Sequence, residues 1–211
     1  MTIVDNFDLM KPHMTFNSPD EFYFVQILIR GKDGHTEKGV NGNNKNRLIK
    51  YYTIRSLDEL DRCKQEITSI CHAINARAYI HPTKRSFKAV AKEAFRVFTE
   101  SYVSENVIGL RSCYSTACGK SRISKDKKFV VDLDGIKYDS YEDIEKVSKI
   151  LKFIDDECDP IKVQKEAYIV PTAHGIHLVV KPFNADKFKE HFPDIDVHKN
   201  NPTLLYFECY D

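Results

Sequence analysis

The sequence predicts an α+β fold in two parts, an N-terminal α/β lobe over residues 1–127 and a second module over residues 128–211. Three observations carry this expectation. Runs rich in β-branched and aromatic residues alternate with amphipathic helix patterns along the chain. From residue 128 these elements follow the order strand, helix, strand, strand, helix, strand. A hydrophobic fraction of 42% with 30% charged residues describes a sizeable core inside a solvated surface. At 211 residues the two lobes are expected to form one compact unit.

Residues 1–20 are polar, with Pro12 and Pro19, and read as an extended lead-in or partner strand. EFYFVQILIR (21–30) and RLIKYYTIR (47–55) have strand composition. The stretch between them, 31–46, is rich in glycine, asparagine and lysine and reads as a hairpin's long loop. Ser56 opens a capping box with Glu59, and Leu57, Leu60, Ile67, Ile70, Cys71 and Ile74 share a helical face to about residue 75. ARAYIH (76–81) is a short strand, and 86–102 a second amphipathic helix through Phe87, Val90, Ala94, Phe95 and Phe98. Residues 109–127 hold Lys, Arg, Ser and Thr without apolar periodicity, which predicts a basic loop. FVVDLD (129–134) is a strand and 140–157 an acidic helix. EAYIVPT and GIHLVVKPF are paired strands, FNADKFKEHF is a short helix, and TLLYFECY (203–210) is a closing strand. That order is the split βαβ arrangement of ferredoxin-like and RNA-recognition-motif (RRM) folds.

The net charge of +1 does not mark a nucleic-acid binder, although acidic ligands cancel a basic patch in the total. The N-terminal segment MTIVDNFDLMKPHM lacks an apolar core flanked by basic residues, and no run of eighteen apolar residues exists. A cytoplasmic protein with no membrane partner is expected. The six cysteines at 63, 71, 113, 118, 158 and 209 form no CxxC pair and read as free thiols. Cys113 and Cys118 have the alternative of forming half of a zinc site.

Asp132-Leu133-Asp134 is the sharpest local feature. Residues two apart on a strand face the same side, so two carboxylates project together from an apolar strand. Ionising both is costly unless cations sit between them, and Mg²⁺ or Mn²⁺ accept carboxylate oxygens. The alternative is a strand end meeting water at Gly135. A second feature, PTAHGIHLVVKPF (171–183), places Thr172, Gly175 and His177 around a turn. Glycine permits close approach of a phosphate, and the hydroxyl and imidazole can donate to its oxygens. An ordinary hairpin with two histidines is the alternative there. GKS at 119–121 lacks the glycine and setting of a P-loop.

Together the two features resemble the archaeo-eukaryotic primase and primase-polymerase superfamily, in its small phage or mobile-element form. The family's strand of hydrophobic-Asp-hydrophobic-Asp matches 131–134, and its small-x-x-Gly-x-His matches 172–177. For the family's third acid, Asp196 after Ile195 is the first choice and Glu208 the fallback. An arginine common in the family is replaced near Thr203. The resemblance covers mainly 128–211 and implies an RRM-like catalytic module of primase-polymerase type.

What the resemblance implies is a template-directed nucleotidyltransferase of DNA replication, carrying nucleotides from nucleoside triphosphates to a 3′-hydroxyl. Asp132, Asp134 and Asp196 would be catalytic and hold two Mg²⁺ or Mn²⁺ ions, with Thr172, Gly175, His177 and Lys199 at the nucleotide. Single-stranded DNA template and nucleoside triphosphates are the implied partners, with a separate helicase for unwinding. Arg77, Arg85, Lys120, Arg122 and Lys125, with Lys84, are the basic residues expected to meet nucleic acid. Two other function classes stay open. One is a catalytically inactive accessory or nucleic-acid-binding protein of the same fold, and the other is a metal-dependent nuclease.

Overall fold

Alternation along FVVDLD separates two faces. Phe129, Val131 and Leu133 are buried with Ile176, Leu178 and Val180, and helical residues Val147, Ile150, Ile154 and Phe188 complete that core. Each such buried aliphatic side chain contributes about 1.5–3 kcal/mol. In the computed structural model of the protein, which describes residues 2–31, 46–121 and 126–209, this core belongs to one of two compact units. The protein is mixed α+β with antiparallel sheets.

The first unit comprises Met1–Asp126 and Leu205–Asp211. Its elements are β1 (Thr2–Asp5), α1 (Phe7–Met10), β2 (Glu21–Ile29), β3 (Arg47–Ile54) and α2 (Leu57–Ile74). They continue as β4 (Arg77–Ile80), β5 (Arg85–Ser86), α3 (Phe87–Val103) and α4 (Val107–Lys120). The sheet runs β1-β10-β4-β2-β3 with β5 beside β2, where β10 is Thr203–Cys209. The N-terminal segment is thus a partner strand, since β1 pairs antiparallel with β10 from Thr2↔Cys209 to Asp5↔Tyr206. Ser56 caps α2 by accepting from the Glu59 amide at 3.1 Å, and Glu59 reaches back to the Arg55 amide at 2.8 Å. The expected loop at 31–46 lies mostly outside the described residues, from 32 to 45.

The expected basic loop at 109–127 is a helix, α4, over most of its length. Asn106 caps it by accepting from the Gly109 amide at 3.0 Å. Its buried side uses small residues: Ala117 and Cys118 pack with Phe22, Phe24 and Val90. A Cβ at Gly109 would stand 2.2 Å from the Ser101 Oγ of α3, so that glycine permits the close approach. Ser112 and Ser115 return their hydroxyls to Ile108 and Ser112 carbonyls along the helix. A helix packed through small and polar residues shows no apolar stripe, which is why its sequence reads as loop.

The second unit is Lys127–Leu204. It contains β6 (Phe129–Asp134), α5 (Tyr141–Asp156), β7 (Tyr168–Pro171), β8 (Gly175–Val180), α6 (Ala185–His191) and β9 (Asp196–His198). The sheet order is β7-β8-β6-β9, all neighbours antiparallel. The strand at 203–210 was expected to close this sheet; β9 takes that place, and from Leu205 onward β10 belongs to the first unit's sheet. Ser140 caps α5 by accepting from the Asp143 amide at 3.1 Å. Beyond the helix, the buried Lys165 ammonium donates to four backbone carbonyls: Pro160 and Val163 at 2.7 Å, Ile154 at 3.2 Å and Cys158 at 3.4 Å.

Candidate functional site: a row of acids on the second sheet

With Val131 and Leu133 turned to the helices, Asp132 and Asp134 project from the other face of β6. β6 is an inner strand, so Asp132 has a cross-strand neighbour on each side. It pairs with His177 of β8 and with Asp196 of β9. Side chains directly opposite in such pairs stand about 4.5–5.5 Å apart at Cβ. His177 Nε2 lies 3.4 Å from Asp132 Oδ1, and its Nδ1 lies 2.9 Å from Thr203 Oγ1. Asp132, Asp134, Asp194 and Asp196 line a cleft of about 230 Å³ with Leu133, Ile136 and Ile195.

Among the described residues, the cleft is lined by four carboxylates and by no basic side chain. Asp196 is engaged from outside the cleft: Lys189 Nζ donates to its Oδ1 at 2.9 Å. That hydrogen bond and the ammonium charge hold the Asp196 carboxyl below the usual carboxylate range, against the opposing charge of Asp132. The pairing is therefore present at neutral pH and lost as pH falls through the lowered value. Lys189→Met is expected to move Asp196 titration to higher pH, which carboxyl ¹³C NMR reads directly.

The sequence-selected residues divide sharply. Asp132, Asp134, Asp196 and His177 converge. Thr172 and Gly175 sit at the β7–β8 turn, where the Thr172 hydroxyl accepts from the Gly175 amide at 3.0 Å. Gly175, which pairs with Asp134, is there for the sheet: a Cβ would stand 2.2 Å from the Leu133 carbonyl oxygen. Gly175→Ala is expected to cost about 2–3 kcal/mol by forcing β8 from β6, measured as a lower urea midpoint. Lys199 is exposed in the bend after β9. Glu208 is part of the first unit, where it accepts from Tyr206 at 3.1 Å and lies 3.2 Å from His72 Nδ1.

Of the basic residues chosen for nucleic acid, Arg77, Lys84 and Arg85 are interior. Arg85 is fully buried and donates to the carbonyls of Cys118 and Thr83 at 2.7 and 2.8 Å. Arg77 is buried with its guanidinium 4.2 Å from the Phe207 ring centre, and Lys84 is buried 2.8 Å from Glu21. None of these three offers an exposed charge to a phosphate backbone. Lys120 ends α4, exposed, with Nζ 3.9 Å from Glu93. Arg122 and Lys125 lie outside the described residues. Cys113 is half-buried on α4, while Cys118 is buried, which pushes its thiol up to about 11.

Three neighbours of the cleft escaped sequence reasoning: Asp194, Lys189 and Thr203. Asp194 had a signal, because Asp194-Ile195-Asp196 repeats the spacing of Asp132-Leu133-Asp134. Among the described residues, no three His, Cys, Asp or Glu are gathered into a ready metal cage. A scan against models of protein families found no match, and neither did searches of curated proteins and of solved structures.

Proposed function

We propose that this chain is a nucleotidyltransferase of the primase-polymerase type, working at the acidic row of β6 and β9. The observation that carries the reading is the register that sets Asp132 between His177 and Asp196. The strand order β7-β8-β6-β9, with α5 and α6 as crossovers, supports a split βαβ, RRM-like reading of this unit.

The donor set fits hard divalent cations: the cleft is lined by carboxylate oxygens, and Asp196 takes part once it leaves Lys189. Asp132, Asp134 and Asp196 would hold two Mg²⁺ or Mn²⁺ ions, which lower the pKa of an attacking hydroxyl and stabilise the leaving pyrophosphate. His177 lies beside Asp132 and, in the Nε2–H tautomer, donates to an oxygen of an incoming triphosphate. Ile136, Leu133 and Ile195 supply apolar walls that limit water around the charged groups. Single-stranded DNA, nucleoside triphosphates and a separate helicase are the partners this reading implies.

Purified protein incubated with Mn²⁺, single-stranded DNA and nucleoside triphosphates should lengthen a labelled strand or make one de novo. The Lys189–Asp196 pair favours a second reading, a non-catalytic accessory of the same fold. No product, with template binding unchanged in an Asp132→Ala, Asp134→Ala protein, would establish that one instead.

A further inference from the structure

Thr203 begins β10 with its side chain fully buried, yet it carries a hydroxyl. Among the described residues the partner of that hydroxyl is His177 Nδ1, at 2.9 Å. On the other side of the ring, Nε2 faces Asp132 Oδ1 at 3.4 Å. The imidazole is itself only 14% exposed, so its two nitrogens are held between two fixed groups.

We infer that Thr203 is a positioning residue that holds neutral His177 in the Nε2–H tautomer, with a proton donor facing the cleft. Two independent arguments converge on that tautomer. An ionised carboxylate only accepts, so an Nε2 lone pair aimed at Asp132 would be repelled, whereas an N–H is attracted even at a distance too wide for a strong bond. Thr203 supplies the second. If its hydroxyl accepted from Nδ1–H, its own hydrogen would be left in the interior without an acceptor among the described residues. Donating to Nδ1 uses that hydrogen and leaves only spare lone pairs, the cheaper deficit. The hydrogen bond made by one ring nitrogen thus sets the state of the other.

The consequence is a division of labour on the row. With a hydrogen on Nε2, His177 has no lone pair for a cation there and offers a donor to an anionic oxygen; the carboxylates are left to bind cations. That consequence for triphosphate binding rests on the nucleotidyl-transfer reading, whereas the tautomer does not.

Long-range ¹H–¹⁵N correlation spectra at about pH 8, above the usual imidazole range, assign the tautomer in the wild type, Thr203→Val and Thr203→Ser. Wild type and Thr203→Ser are expected to show Nε2–H alone, and Thr203→Val a mixture of the two tautomers in which Asp132 by itself still favours Nε2–H. In parallel, a non-hydrolysable nucleoside triphosphate with Mn²⁺ should bind Thr203→Val about tenfold more weakly, the worth of one modest hydrogen bond, with recovery in Thr203→Ser. Nδ1–H in the wild type overturns the inference, as does Nε2–H persisting unchanged in Thr203→Val. If Thr203→Val fails to fold, the wild-type and Thr203→Ser spectra decide. Nε2–H in a wild type that binds no triphosphate would support the positioning role and defeat the nucleotidyl-transfer reading.

Discussion

On the proposed nucleotidyl-transfer reading, Asp132→Asn is expected to lower nucleotide incorporation on the order of 10²–10³-fold, the scale of losing a principal electrostatic group from a reaction centre. The substitution keeps size and shape, removes the charge and turns one acceptor oxygen into an NH2 donor. Asp132 is partly exposed, so no cavity opens, and its neighbours Val131 and Leu133 keep the core intact. The thermal midpoint should therefore stay close to that of the wild type. Asp132 is chosen over Asp134 because of its place: it alone in the row has a partner strand on both sides, His177 on one and Asp196 on the other. Primer extension by the two proteins at equal concentration makes the comparison. Equal rates would place the chemistry elsewhere.

Lys165→Met is expected to destabilise the protein by about 3 kcal/mol, because four carbonyls lose a charged donor while the aliphatic stem is preserved. Lys165 is only 2% exposed, so water cannot readily replace the ammonium. The carbonyl of Ile154 belongs to the last turn of α5, where helical carbonyls have no intrahelical partner, and those of Cys158, Pro160 and Val163 come from the loop beyond. One side chain therefore closes the helix end and organises the return toward β7. Urea unfolding measures the effect as a lower midpoint. A loss under about 1 kcal/mol would mean that the loop rearranges to satisfy those carbonyls another way.

These two residues also mark what the sequence could convey. FVVDLD was legible because burial and exposure alternate with the strand's own period, so the shared face of Asp132 and Asp134 followed from spacing alone. That His177 stands beside them was expected by resemblance; the pairing register that places it there is non-local and cannot be read from the 44 residues between Asp132 and His177. Lys165 carries no signal at all, since its partners are backbone carbonyls that any residue supplies. Arg77 and Arg85 were misplaced because lysine and arginine are usually exposed, and the Cys118 and Thr83 carbonyls that receive the Arg85 guanidinium are backbone groups that leave no mark in the sequence. β9 was read as a motif and not as a strand because three residues, Asp-Val-His, show too little alternation. The segment at 203–210 was recognised as a strand, yet which sheet it joins depends on β1 and β4, far away along the chain. Small buried residues hid α4.

Anomalous diffraction from crystals soaked with Mn²⁺ and a nucleoside triphosphate tests the cleft most directly. Two manganese peaks contacting Asp132, Asp134 and Asp196, with a phosphate oxygen within hydrogen-bonding distance of His177 Nε2, are predicted. Manganese absent from these carboxylates at saturating concentration, with Asp196 still held by Lys189, would contradict a two-metal site on this sheet.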